Sequence, residues 1–284
     1  MRTGFLTAIA VSAPLVIVAC GGDEGPTQPA APLTFSAVSV GYLHTCGVTA
    51  AGAAFCWGEN FLGQLGDGTT TNRSNPVLVA GGVSFAAVSA GAYHTCGNTA
   101  EGAAYCWGNN SEGQLGDGTT TSRASPVLVA GGVSFAAVSA AGSEHTCGVT
   151  AAGAAYCWGE WSMLGGGDMS TTNALTPVLV VGGVSFAAVS AGFHHTCGVT
   201  AAGAAYCWGG NNYGELGDGT TTILTRLSPG LVVGGVSFAA VRAGDRYTCG
   251  ITAAGAAYCW GWNLYGQLGD GTTTDRLTPV GVVQ

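Results

Sequence analysis

The chain contains no lysine, and charged residues of every kind make up only 8% of its 284 positions. Seven arginines stand against 15 acids, giving a formal net charge of −8. A protein that grips a phosphate backbone needs clustered Lys and Arg, so no nucleic-acid partner is expected. No apolar run reaches the roughly 20 residues of a membrane-spanning helix. Outside the first twenty residues no segment shows sustained helical periodicity, which argues against a helical bundle. There is no nucleophile elbow, no HExxH and no Ser-His-Asp signature. "GQLGDGTTT" lacks the Gly-Lys-Ser/Thr end of a phosphate loop, and each copy offers one Asp where calcium needs an acidic cluster. The sequence therefore predicts neither an enzyme nor a cofactor or metal site.

What it has in abundance is glycine, 50 residues, and cysteine, 11. Cys20 stands apart from the other ten. It ends the apolar run 5–19 in Ile17-Val18-Ala19-Cys20, which resembles a bacterial lipobox. Residues 1–19 are accordingly expected to be a lipoprotein signal, with Cys20 lipidated as the first mature residue. Residues 20–34 are rich in Gly, Pro, Asp and Glu without apolar periodicity, and read as a flexible linker. The expected location is outside a bacterial membrane, periplasmic or cell-surface, held by a lipid anchor alone.

The other ten cysteines mark an internal repeat. The first of each pair is Cys46, Cys96, Cys147, Cys197 or Cys249, at intervals of about fifty residues. Each unit holds four short strand candidates, in the second unit at 85–89, 94–99, 103–107 and 126–129. Short strands at even spacing between Gly and Asp-Gly turns predict an all-β repeat architecture.

The cysteine pair flanks a hairpin. In "HTCGVTAAGAAFCWG" the loop is Ala50-Ala51-Gly52, with Thr49 opposite Ala53. Gly at the third loop position fits a type I turn followed by a left-handed residue. Counting outward sets Val48 against Ala54, Gly47 against Phe55 and Cys46 against Cys56. Alternation makes the last a non-hydrogen-bonded pair, where side chains approach most closely. Exported proteins favour disulfides. Five local bridges are expected: Cys46–Cys56, Cys96–Cys106, Cys147–Cys157, Cys197–Cys207 and Cys249–Cys259. Metal binding by isolated cysteines ten apart is the weaker reading.

Three segments, "CGVTAAGAAYCWG", "GQLGDGTTT" and "PVLVAGGVSFAAVSAG", closely resemble the regulator of chromosome condensation repeat family, in its bacterial exported form. The resemblance covers residues 35–284. It implies a β-propeller of four-stranded blades around an axis. Family rings usually have seven blades and this chain has five repeats, so it forms a closed five-blade ring or an incomplete one; a closed monomer is expected. The guanine-nucleotide exchange of eukaryotic members is not carried over, because nothing here matches their partner-binding segments or compartment.

Residues identical in every unit are expected to hold the blades together. These include Trp57, Trp107, Trp158, Trp208 and Trp260. His44, His94, His145 and His195, replaced by Tyr247 in the fifth unit, are expected to be hydrogen-bonding strand residues rather than metal ligands. Recognition is sought where units differ. Two loops vary, one before His-Thr-Cys and one after Cys-Trp-Gly. They carry Tyr42, Tyr93 and Phe193 in the first, and Phe61, Trp161, Tyr213, Trp262 and Tyr265 in the second. Aromatics in loops are the residues that dominate binding hot spots. Unit three, with an extra residue near Ala141 and an altered loop at Trp161, is the expected asymmetric contact. The expected role is a binding module for a protein or an envelope polymer. One rival is a secreted inhibitor of an envelope or β-lactamase-type enzyme. Another is a polysaccharide-active enzyme, for which Glu160 and Asp168 would be the minimum carboxylate pair.

Overall fold

Each hairpin turns where a glycine permits it. Gly52 has φ +81°, a left-handed conformation open to glycine at no steric cost. Thr49 N–H donates to Ala53 O at 2.9 Å and closes the turn. The register that follows is Val48↔Ala54, Gly47↔Phe55 and Cys46↔Cys56, as predicted. All five cysteine pairs form disulfides, each with a Cα–Cα distance of 4.1 Å, the close spacing of a non-hydrogen-bonded pair.

The computed structural model describes residues 32–140, 142, 144–167 and 172–284. The expectations placed on residues 1–31, and on Ala141, Ser143 and Asp168, lie outside the described residues. Residues Thr34–Gln284 form one compact unit of five four-stranded sheets, each an antiparallel meander in chain order. Blade 1 runs Ala37–Val40, His44–Val48, Ala54–Gly58 and Arg73–Leu78. Blade 2 runs Ala87–Ala90, His94–Asn98, Ala104–Gly108 and Arg123–Leu128. The first strand of each blade lies innermost, beside the first strands of its neighbours.

Two strand expectations shift. Phe85 precedes its strand rather than opening it, and is buried as a plug against Trp107. The fourth strand starts at Arg123, so Pro126 sits in its middle. Proline is tolerated there because this strand is outermost and has no partner on one side.

Blades are joined by one interface repeated four times. Between blades 1 and 2, Cys46, Val48 and Leu65 pack against Phe85, Ala90 and Trp107. The same set recurs between blades 3 and 4 and between 4 and 5, and between blades 2 and 3 with Asn98 at the position of Val48. Polar links accompany it. His44 Nε2 bonds Thr95 Oγ1 at 2.8 Å, and Ser39 Oγ accepts Ala90 N–H at 2.9 Å. Gln64 O receives both Thr95 Oγ1–H at 2.8 Å and Trp107 Nε1–H at 2.9 Å.

Among the described residues no fifth core joins blade 5 to blade 1, so ring closure is not seen and the arrangement is compatible with an incomplete ring. Val38 and Val40 on blade 1, and Ile251 and Val282 on blade 5, stay exposed. Trp57 is only partly buried, whereas Trp107, Trp158, Trp208 and Trp260 are fully buried; among the described residues no neighbouring blade packs over Trp57, and Phe35 stacks on it at 5.8 Å. The residues at this edge differ from those at the four interfaces. Blade 5 carries Arg242 and Tyr247 where blades 1–4 carry the linking Ser and His.

Candidate binding face

A four-stranded meander places its first and third connections at one end and its second at the other. Both variable loops of every unit therefore share one face. Backbone bonds clamp them together: Glu59 N–H to Leu43 O at 2.8 Å, Gly210 N–H to His194 O at 2.7 Å, and Trp262 N–H to Arg246 O at 2.9 Å.

This face gathers the predicted aromatics into two groups. Tyr42 lies 6.3 Å from Tyr93 and 6.5 Å from Phe193, ring centre to ring centre, so blades 1, 2 and 4 meet through their inner loops. Tyr213, Trp262 and Tyr265 form the second group, with Tyr213–Trp262 at 6.0 Å and Trp262–Tyr265 at 5.4 Å. The guanidinium of Arg246 sits 5.4 Å from the Tyr213 ring and 5.7 Å from the Trp262 ring. Its Nη1 also donates to Tyr213 Oη at 3.3 Å. Stacking of this kind holds a flexible cation in place and leaves its outer edge available. Phe61 stands apart from both groups and is 69% exposed.

Sequence reasoning missed Arg246 and the residue beneath it. Glu215 is buried where blades 1, 2 and 5 have Gln64, Gln114 and Gln267. It accepts Tyr213 N–H at 2.7 Å. Burial raises its carboxyl above the usual range; backbone bonds and Arg246 offset part of that rise. The signal was legible as a Glu breaking a column of Gln. Glu144 is also raised, by burial and then by the neighbouring Glu112 and Glu160.

Trp161 is half-buried and takes the place of a polar network that the other blades share. In blade 1, Asn60 Nδ2 bonds Asp67 Oδ1 at 3.2 Å, and Arg73 pairs with Asp67 Oδ2 at 2.8 Å. Burial pushes Asp67 upward, but the bonds from Thr69 and Arg73 outweigh it and hold the carboxyl below its ordinary value. The network recurs around Asp117, Asp218 and Asp270. Blade 3 loses all three members at once, with Trp161, Gly166 and Ala174 in place of Asn, Asp and Arg. Trp161 and Ala174 pack against the core between blades 3 and 4 instead. An apolar plug has replaced an ionic one. Glu160 accepts Ser162 N–H at 3.1 Å and caps the short helix Trp161–Met163, so this carboxylate is occupied locally.

The four histidines are interface residues. Thr95, Thr146 and Thr248 each give their one hydroxyl proton to a backbone carbonyl. The imidazoles of His44, His94 and His195 must therefore donate through Nε2 to these oxygens. Nδ1 of all four histidines is buried without a partner. Desolvation lowers His44 to about 4 and His94, His145 and His195 to about 3.

A family model described as RCC1-like domain matches residues 19–284. The chain belongs to the RCC1-like domain family. A 69-residue stretch is 44% identical to the ultraviolet-B receptor UVR8 of Arabidopsis thaliana, covering 24% of this chain and 15% of that protein. Human WBSCR16 superposes with a TM-score of 0.77 at 22% identity, over 87% of this chain and 66% of that one. Prp20p of Saccharomyces cerevisiae, a structure reported with its binding properties to Gsp1p and histones, gives 0.70 at 17% identity, over 87% and 76%. The CRINKLY ectodomain of the Arabidopsis thaliana receptor kinase ACR4 gives 0.52 at 19%, over 89% and 69%. This chain thus spans a small part of the plant receptor and about two thirds of the human protein. At these identities the structural likenesses show the fold. The five disulfides point to an oxidising, extracellular environment.

Proposed function

We propose that this RCC1-like chain is an exported lipoprotein that captures a protein partner on its loop face. One observation carries the reading: the residues that vary between units converge on a single face, while the residues that repeat are spent on blade interfaces. Tyr42, Tyr93 and Phe193 form one anchor there. Tyr213, Trp262 and Tyr265 around Arg246 form the other. Aromatic and Arg side chains on a rigid support are the composition of interface hot spots. With no lysine in the chain, aromatic burial is the main contact energy such a face can offer.

Anchoring rests on Ile17-Val18-Ala19-Cys20. Cys20 is the one cysteine outside the five bridges. Replacing it with Ser should release the chain from membranes and block processing; unchanged membrane association would refute the anchor. For the binding face, Tyr42→Ala and Trp262→Ala should each weaken capture of the partner by about thirtyfold while leaving thermal unfolding nearly unchanged.

A further inference from the structure

The end of the blades opposite the loop face is nearly without charge. It is built from the hairpin turns at 49–53, 99–103, 150–154, 200–204 and 252–256 and the returns at 79–86, 129–136, 180–187 and 232–239. Glu101 is the only charged residue in all of these segments. Every other described charged residue of the blades, apart from Arg242 in an inner strand, lies in or beside the loops of the far face.

The same end bears a ladder of exposed leucines. Leu78, Leu128, Leu179 and Leu231 occupy one position in four successive outer strands, at the hairpin end, each 52–57% exposed. Val181 and Val233 beside them are also exposed. Open apolar grooves of about 480 and 470 Å³ run between hairpin and return in blades 3 and 4. A repeated apolar ridge in place of charge is costly to leave in water and marks a contact surface.

The chain itself indicates what covers it. Ser36 N–H donates to Val48 O, so the first strand of blade 1 begins at the hairpin end. Between Cys20 and Thr34 lie thirteen residues, and a flexible chain of that length has a root-mean-square span of about 20 Å. We infer that the hairpin face docks on the lipid bilayer to which Cys20 is attached, with Leu78, Leu128, Leu179 and Leu231 at the headgroup boundary. The inference rests on the anchor reading for its approach to the membrane. The short linker supplies a high local concentration of membrane surface, so the ridge needs little affinity of its own. Docking this way turns the loop face outward.

The test attaches the membrane chemically. The full chain is coupled through Cys20 to a maleimide phospholipid in phosphatidylcholine vesicles, and its amide hydrogen exchange is compared with that of the uncoupled chain. Residues 79–86, 129–136 and 180–187 should exchange at least about tenfold more slowly on vesicles, and residues 59–67 should not change. Leu128→Glu combined with Leu179→Glu should stay on the vesicles yet lose the slowing, with unfolding unchanged. Absence of slowing at the hairpin end, slowing at the loop face, or slowing that survives the double variant would overturn the inference. Should the double variant fail to fold, the comparison of coupled and uncoupled wild-type chain decides by itself. Because the lipid is attached in vitro, failure of acylation in cells would remove the anchor reading and leave this result intact. A protein occupant of the ridge would show as no slowing on pure lipid.

Discussion

Acid should loosen the blades well before it protonates the Asp–Arg networks. The perturbation is a drop from pH 7 to pH 5. Four imidazoles are buried at the four interfaces, neutral and with Nδ1 bare. Their folded values of about 3 to 4 lie below the ordinary 6.5. The unfolded chain therefore binds protons across this range while the folded chain does not, and stability falls as pH falls below about 6.5. Each histidine loses about 2 kcal/mol between pH 7 and 5, and four together lose roughly 7–8 kcal/mol. Glu144 and Glu215, raised by burial, act in the opposite sense and gain stability as they protonate. The Asp67, Asp117, Asp218 and Asp270 carboxyls are lowered, so their contribution is lost only as pH falls through about 4 and below. The histidine loss is a large share of the 5–15 kcal/mol stability of ordinary domains. Guanidinium unfolding followed by tryptophan fluorescence at pH 7.5, 6 and 5 reads it directly. The midpoint should fall steeply between pH 6 and 5. A midpoint independent of pH over that range, or imidazoles titrating near 6.5 in the folded protein, would refute the argument.

Further outcomes follow from the same interfaces. Trp158→Phe removes the Nε1–H bond to Gln114 O and should cost about 1–3 kcal/mol; the identical change at Trp57, which no blade covers, should cost under about 1 kcal/mol, both read by thermal melting. Trp161→Ala should lower stability by about 1–3 kcal/mol without a matching loss of partner binding, because Trp161 fills the space of an ionic network. Removing one hairpin disulfide as a Cys→Ala pair should cost about 2–3 kcal/mol, and peptide mapping without reduction should find no bridge between repeats. A Cβ at Gly91 would run into the Ala140 carbonyl, so Gly91→Ala should prevent stable packing of blades 2 and 3; Gly281→Ala meets nothing and should change stability by less than about 0.5 kcal/mol.

Much of this molecule is legible in its sequence because it is written five times. Repetition identifies the blade, and one glycine in a left-handed turn sets the hairpin register and hence the pairing of Cys46 with Cys56. The two variable loops could be assigned to one face by counting strands. Closure was a different matter. The exposed edges follow from which residues meet across the gap, and Tyr247 and Arg242 gain meaning only once His44 is seen bonding Thr95 of the next blade. The packing of Trp161 was hidden for a related reason. Its loop reads as an exception, and only the packing shows that Asn, Asp and Arg were exchanged together for an apolar plug. Arg246 escaped notice because a single cation beside Asp245 carries no pattern, and its place between two rings is a matter of three dimensions.

The central claim is that the loop face of blades 1, 2, 4 and 5 is the recognition surface. The most direct measurement is capture of partners from envelope extract by the full chain, repeated with Tyr42→Ala, Trp262→Ala and Leu128→Glu, each verified by its melting curve. The account predicts that a partner held by the wild-type chain is lost with Tyr42→Ala and Trp262→Ala and retained with Leu128→Glu. Retention by both aromatic variants, or loss with Leu128→Glu alone, would contradict it.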